Sequence, residues 1–322
     1  MNNITGLHHI TALTSDAQKN LDFYAGILGL RFIKRTVNFD APDVYHLYYG
    51  DETGTPGTVL TFFPFPHMKR GKKGNGQASV ISFSVPTNAL DYWMKRLKKF
   101  GVIFTSPKER FNESFIYFED FDGLGLEITA VEDDERPGFI RGLIPEEFAI
   151  RGFHSVTINE DSYNDTASFL TEQMNYSLLA EDQNRFRFSA GKNAGFVEII
   201  FSPGDQYGIM GSGSVHHIAF ATDNFESQHK FRENLLFHCT VSPTDVIDRQ
   251  YFKSVYFREP GGVLFEAATQ IPGFTIDEPV EHLGESLKLP VWEEKNRNWI
   301  ERRLPDITLD VRKYKDAQVQ IH

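Results

Sequence analysis

Gly6-Leu7-His8-His9-Ile10-Thr11, near the start of the chain, returns little changed as Ser214-Val215-His216-His217-Ile218-Ala219. Each stretch reads as the opening of a strand. An amphipathic helical pattern follows each copy, and several short strand patterns follow the helix. Two weaker copies lie between them, so the chain divides into four similar modules. The first spans about residues 7–63, with a helix predicted over Ala17–Leu28. Leu21, Tyr24 and Leu28 fall on one face of that helix and Gly29 ends it. The second spans about 78–131, with a helix around Ala89–Leu97. The third spans about 153–201 with a helix near Asp165–Met174, and the fourth about 215–268 with a helix near Phe225–Leu235.

The acidic segment Glu132-Asp133-Asp134-Glu135-Arg136-Pro137-Gly138 separates modules two and three and is the expected domain boundary. It predicts an N-terminal domain over 1–137 and a C-terminal domain over 138–272, with two modules in each. Residues 273–322 form a tail. A helix is predicted there at Glu293–Arg303, ended by Pro305, and the tail is expected to pack over a domain or serve in dimer contacts.

Bulk composition narrows the function. A net charge of −11 works against nucleic-acid and anionic-membrane partners, which reward clustered cations. The one basic stretch, Lys69 to Lys73, is interrupted by Gly71 and followed by Gly74 and Gly76, and reads as a solvated loop. Cys239 is the only cysteine, which excludes an intrachain disulfide and any thiolate-rich metal site. Residues 1–6 lack a basic and then apolar leader pattern, and no apolar run approaches the roughly 20 residues of a membrane helix. The expected location is the cytoplasm.

The repeats can be compared with one another. Modules two, three and four close on a strand bearing a carboxylate, at Glu127, Glu198 and Glu266, whereas module one has Leu60-Thr61 at that place. Modules one and four carry His9 and His217 in their opening strands, where modules two and three are read as carrying Ser82 and Ser155. One imidazole from each pair and Glu266 would make a two-histidine, one-carboxylate set. Such a set can hold Fe(II) and leave positions open for a substrate and O₂. If one ion binds all three, modules one and four must meet in space.

Neighbouring residues of a regular strand face opposite ways, so each pair offers one imidazole. His8 and His216 share faces with Ile10 and Ile218 and are assigned to the side under the helices. His9 and His217 are therefore the expected ligands. Glu127 and Glu198 read as polar positions inherited from the repeat, and His154 as structural. His46 stands in no comparable context. Upstream of Glu266, Arg249 could orient an anionic oxygen and Tyr256 could exchange a hydrogen bond. A Pro260-Gly261 turn between antiparallel strands would bring Tyr256 and Glu266 to one opening. The 29 phenylalanines are expected to be core.

Taken together, the two histidine pairs, the Asp248-Arg249 to Gly262 run and Phe265-Glu266-Ala267 resemble the vicinal oxygen chelate (glyoxalase/extradiol dioxygenase) superfamily over essentially the whole chain. Within it, the pattern is most similar to para-hydroquinone ring-cleaving dioxygenases. The resemblance implies an α+β fold of four βαβββ modules in two open-barrel domains. It implies metal ligands at His9, His217 and Glu266, and catalytic or supporting roles at His8, Thr11, His216, Arg249 and Tyr256, with His216 as an acid/base. The implied cofactor is Fe(II), with Mn(II) or another divalent ion as the alternative. The implied partners are a small aromatic substrate and O₂, and a homo-oligomer is left open. Two other readings stand beside it: a glyoxalase-type metal isomerase, which needs a second carboxylate at the place occupied by Leu60 and Thr61, and a metal-free small-molecule binding protein, which needs no such triad.

Overall fold

A computed structural model of the chain describes residues 4–315. Module one contains β1 (Ile4–Thr14), helix α1 (Ala17–Leu21), β2 (Arg31–Asn38), β3 (Ala41–Gly50) and β4 (Val59–Pro64). Module two contains β5 (Gln77–Pro86), α2 (Leu90–Lys99), β6 (Lys108–Arg110), β7 (Glu113–Glu119) and β8 (Gly125–Val131). Module three contains β9 (Gly152–Glu160), α3 (Tyr163–Gln173), β10 (Ser177–Asp182), β11 (Arg185–Ser189) and β12 (Phe196–Phe201). Module four contains β13 (Val215–Thr222), α4 (Phe225–His238), β14 (Ile247–Asp248), β15 (Lys253–Arg258) and β16 (Leu264–Thr269). All four modules are βαβββ, and the fold is the expected α+β class.

Local chemistry sets the helix starts. Asp16 accepts a hydrogen bond from the Lys19 N–H at 3.0 Å, and Asn224 accepts one from the Ser227 N–H at 2.9 Å, so both helices begin on a capping side chain. The predicted helix 17–28 is α-helical only to Leu21 and continues as a π-helical segment, Asp22–Ile27. Its terminal carbonyls turn outward to a side chain: Arg96 donates to Gly26 O at 2.8 Å and to Ile27 O at 2.6 Å.

The strands form two curled eight-stranded sheets, ordered β14-β15-β16-β13-β1-β4-β3-β2 and β10-β11-β12-β9-β5-β8-β7-β6. At the middle of each, two opening strands pair antiparallel, β1 with β13 and β5 with β9. Modules one and four thus share one sheet, as a common metal ion would require, and modules two and three share the other. The boundary at 137/138 separates repeats along the sequence, while each sheet takes one module from either side of it. One buried apolar cluster, including Ile10, Leu60, Phe83, Trp93, Phe153 and Phe220, extends under both sheets.

The tail packs mainly against module one. Lys34, fully buried, reaches Asp277 and Glu278 of the tail at 2.6 Å each, and the Tyr45 hydroxyl donates to Pro305 O at 3.0 Å. Phe274 fills the interior of the first sheet against Tyr48, Tyr251 and Phe252. The helix expected at 293–303 is shorter and split, with a 3-10 turn at Glu294–Asn296 and an α-helical turn at Arg297–Glu301. No side chain caps either start, so nothing extends the turn towards Glu293. The basic loop is not purely solvated. It bridges the linker of the other half at Arg70–Ser212, Lys72–Ile209 and Asn75–Tyr207, and Glu119 pairs with Arg70 and Lys73. No helix among the described residues is long and apolar enough to cross a membrane.

Candidate metal centre

The pairing of β1 with β13 is interrupted three times, at Thr5 and at His8 on β1 and at His216 on β13, and two of the three fall at the histidine pairs. Leu7 faces Phe220 and His9 faces Ala219, which leaves His8 as an extra residue on β1. Thr11 faces His217 and Ala12 faces Val215, which leaves His216 as an extra residue on β13. Each pair of histidines therefore sits on a β-bulge, and a bulge turns two successive side chains towards the same side of the sheet. The expectation that His8 and His216 lie under the helices fails for this reason. His8 Nδ1 stands 2.9 Å from His9 Nδ1, and His216 Nδ1 stands 2.8 Å from His217 Nδ1. His8 packs against Phe252 inside the sheet, with ring centres 5.1 Å apart.

Glu266 lies beside Ala219 in the parallel β13–β16 pairing and opposite Tyr256 in the antiparallel β15–β16 pairing. The turn between β15 and β16 is held by Glu259, whose carboxylate accepts the backbone N–H groups of Gly261 and Val263. As the sequence predicted, this tight turn brings Tyr256 and Glu266 together.

Three donor atoms converge at the centre of the sheet. His9 Nε2 and His217 Nε2 are 3.3 Å apart, and Glu266 Oε2 is 3.4 Å from the first and 2.9 Å from the second. Ligands bound to one first-row ion at about 2.1 Å and roughly at right angles stand about 3 Å apart, so the spacing fits a single ion. All three residues are at most 4 % exposed. Glu266 Oε1 is fixed by the Ser254 hydroxyl at 2.5 Å, whereas Oε2 is buried and accepts no hydrogen bond of acceptable geometry. A buried, unsatisfied carboxylate oxygen between two imidazole nitrogens is costly unless a cation fills the gap. Burial alone would raise the Glu266 carboxyl, but His9 and His217 outweigh it and hold the group well below the ordinary carboxylate range. Burial lowers His217 despite Glu266, which favours the neutral imidazole.

If Nε2 of His9 and His217 gives its lone pair to a cation, each ring carries its proton on Nδ1. That N–H then donates to the neighbouring histidine of its own pair. His8 and His216 must be neutral acceptors for this. Burial and the adjacent imidazole push each of them down to about 3.

A cavity of about 550 Å³ opens over the three donor atoms. Leu13, Phe39, Phe63, Phe65, Met68 and Leu264 supply apolar wall, so some phenylalanines assigned to the core line this space instead. On one side, Arg249 Nε donates to the Tyr256 hydroxyl at 3.2 Å, and the Tyr256 ring lies 5.6 Å from that of His217. Burial and Glu266 push the Tyr256 hydroxyl up against the opposing effect of Arg249, which keeps it protonated. On the other side the expected Thr11 leads into a chain through His46 that the sequence reading missed. The fully buried Thr11 Oγ1 bonds to Thr61 Oγ1 at 2.8 Å, Thr61 to His46 Nε2 at 2.8 Å, and His46 Nδ1 to the Tyr48 hydroxyl at 2.8 Å. No sequence signal marks His46. It enters the site only because β3 pairs with β4, a partnership that residues 45–48 do not announce.

The register also revises the internal comparison. Thr11 faces His217 in one sheet, and Ser82 faces Ser155 in the other, so Ser155 matches His217 but Ser82 matches Thr11. Val80 therefore holds the place of His9. Arginines fill the space that an ion would need there. Arg110 binds Glu127 through two nitrogens, and Arg185 and Arg187 bind Glu198 at 2.5 and 2.7 Å. His154 bonds Glu113 at 3.0 Å, in keeping with a structural role. Among the described residues, His9, His217 and Glu266 are the one group of three that could hold an ion.

Comparison with known proteins agrees with this picture. The family model of the Glyoxalase/Bleomycin resistance protein/Dioxygenase superfamily matches residues 6–128. The Bacillus subtilis protein named "Putative ring-cleaving dioxygenase MhqO" is 43 % identical over 93 % of this chain and 95 % of its own length. A second Bacillus subtilis protein, with the corresponding name MhqE, is 40 % identical over 94 % and 99 %. The chlorohydroquinone/hydroquinone 1,2-dioxygenase of Sphingobium indicum is 36 % identical over 89 % and 91 %. A crystal structure described as a "putative dioxygenase" from Bacillus subtilis superimposes with a TM-score of 0.92 at 41 % identity, covering 96 % of this chain and 99 % of that one. Maize glyoxalase I, at 12 % identity and a TM-score of 0.63 over 82 % and 92 %, shares the fold. The chain belongs to the ring-cleaving dioxygenase family of MhqO and MhqE, within the glyoxalase superfamily.

Proposed function

We propose that this protein is an Fe(II)-dependent dioxygenase that opens a hydroquinone-type ring next to a hydroxylated carbon. The observation that carries the proposal is the convergence of His9 Nε2, His217 Nε2 and Glu266 Oε2 beneath a cavity walled by aromatic side chains. These three residues would hold the ion. Iron(II), when bound, supplies the redox chemistry that lets O₂ react with an aromatic ring.

The chain's own residues prepare the ring. The cavity is of a size for a small aromatic molecule, and its apolar walls exclude water. The Tyr256 hydroxyl and the Arg249 guanidinium lie on one side, where they orient a ring oxygen and favour its ionised form. His216, a neutral imidazole beside Phe63, is placed to hold or pass a proton at its free nitrogen. His8 and His216 fix the ring orientation of His9 and His217. The Thr11-Thr61-His46-Tyr48 chain gives the opposite side a fixed set of hydroxyls.

The name of the Sphingobium indicum relative supports hydroquinones as the substrate class. Cytoplasmic detoxification of hydroquinones and quinones belongs to the same proposal. An isomerase is disfavoured by Thr61, which stands where a second carboxylate would be needed. A metal-free binding protein is disfavoured by the unsatisfied Glu266 Oε2.

The test is anaerobic reconstitution with Fe(II), followed by O₂ uptake with hydroquinone, methylhydroquinone and catechol. Stoichiometric uptake with loss of the aromatic absorbance supports ring cleavage. Bound iron with no uptake for any of the three would overturn it.

A further inference from the structure

Among the described residues lining the cavity, only two side chains carry a permanent charge, and they are paired with each other. Arg249 Nη1 meets Asp40 Oδ2 at 3.1 Å. Arg249 comes from module four and is 18 % exposed; Asp40 lies in the turn between β2 and β3 of module one and is 75 % exposed. The pair therefore joins the two halves of the first sheet at the rim. Neighbouring Asn38 and Phe39 also line the cavity, and Phe39 is braced edge-on by Trp292 of the tail, with ring centres 5.5 Å apart. The remaining lining is aromatic, aliphatic or uncharged polar, together with the imidazoles of His9, His46, His216 and His217.

This charge inventory has a consequence for a ring that bears a carboxylate. Apart from a metal ion held by His9, His217 and Glu266, Arg249 is the one cationic side chain in the lining that could receive it. One face of that guanidinium is already engaged by the Tyr256 hydroxyl and another by Asp40. An incoming carboxylate at that guanidinium would have to displace Asp40 or lie against it. An uncharged ring meets no such opposition.

We infer that Asp40 is a specificity-determining residue, which neutralises Arg249 at the rim and so selects uncharged hydroquinones over hydroquinones bearing a ring carboxylate. The inference rests on the reading of the cavity as an aromatic-ring site. Because Asp40 is largely solvated, the selection it exerts is modest. Exposed pairs of this kind correspond to about two- to fivefold in an equilibrium constant.

The probes are 2,5-dihydroxybenzoate and its uncharged isostere 2,5-dihydroxybenzamide. They differ in charge but scarcely in shape. Anaerobic binding to the Fe(II)-loaded protein by calorimetry gives the ratio of the two dissociation constants, because exclusion of O₂ prevents turnover. Asp40→Asn is expected to shift that ratio towards the acid by about two- to fivefold, and Asp40→Glu to leave it near the wild-type value. Raising the salt should narrow the wild-type preference, as screening does for an exposed charge.

An unchanged ratio in Asp40→Asn would overturn the assignment, and so would a shift of the same size in Asp40→Glu. No measurable binding of the amide to the wild-type protein would overturn it as well, since the cavity would not then accept the ring. Failure of the broader reading is seen separately, as absent O₂ uptake by the iron-loaded wild-type protein with hydroquinone.

Discussion

Thr61 and Glu266 occupy equivalent places in two repeats, Thr61 opposite Tyr48 in the β3–β4 pairing and Glu266 opposite Tyr256 in the β15–β16 pairing. The site is thus a two-fold arrangement with one carboxylate withheld. Thr61→Glu restores it. That variant is expected to hold a divalent ion more tightly, read as slower release to a chelator, while O₂ uptake with hydroquinone falls to background. Faster release together with unchanged uptake would contradict the equivalence.

His217 and Glu266 are the closest pair among the three donors, at 2.9 Å. Replacing His217 with Ala leaves two donors, too few to retain iron through gel filtration. Iron content and turnover should be lost together. An iron-replete His217→Ala protein with normal turnover would remove this residue from the centre.

Tyr256 lies beside the donor atoms without supplying one. Tyr256→Phe is expected to keep its iron and lose roughly 10²-fold in kcat, the usual effect of deleting one hydrogen-bond donor aimed at developing charge. Loss of iron in this variant would point instead to a structural role.

Glu160 at the end of β9 and Glu259 in the turn before β16 are two buried carboxyl groups close enough to repel each other. Burial, and then Glu259, push Glu160 up to about 8 from an ordinary value of 4.5, and its Oε1 has no hydrogen-bond partner. The folded protein keeps a proton there that the unfolded chain releases. This contribution to stability is therefore level below pH 4.5, declines as the pH rises from 4.5 to 8, and is level again above 8. Glu160→Gln should match the wild-type Tm near pH 4 and exceed it at pH 8.5 by about 2 °C or more. Equal melting temperatures at pH 8.5 would count against the pair.

Lys34 anchors the tail through two ion pairs in a fully buried setting. Lys34→Met leaves the mostly buried Glu278 and its neighbour Asp277 without a cation, a change that typically costs about 3 kcal/mol. Limited proteolysis should then cut the tail near residues 277–285 at concentrations that spare the wild-type protein. An unchanged digestion pattern would mean that Phe274 and the rest of the tail suffice to hold it.

Much of this architecture is legible in the repeats. Once His9, His217 and Glu266 are taken as one set, modules one and four have to meet, and β1 does pair with β13. The chain does not announce its irregularities. A bulge is one residue of slippage between two strands, and nothing in Leu7-His8-His9 or Val215-His216-His217 shows that the first histidine will turn towards the second. The counterpart of His9 is Val80 and not Ser82, because the matching place in β5 carries no residue type that marks it. His46 was unreadable for another reason: its partners Thr61 and Tyr48 are brought to it by strand pairing, whereas histidines in pairs advertise themselves.

The nesting of one sheet's modules between those of the other orders the life of the chain during synthesis. Residues 77–201 hold every strand of the second sheet, so that sheet can close on itself while the ribosome is still at work. The first sheet has to wait, because half of it is among the earliest residues made and half among the last. His9 emerges some 250 residues before Glu266. A chain halted between β13 and β16 holds one finished sheet and two histidine pairs without their carboxylate, so a complete set of three metal donors marks a chain translated at least through Glu266.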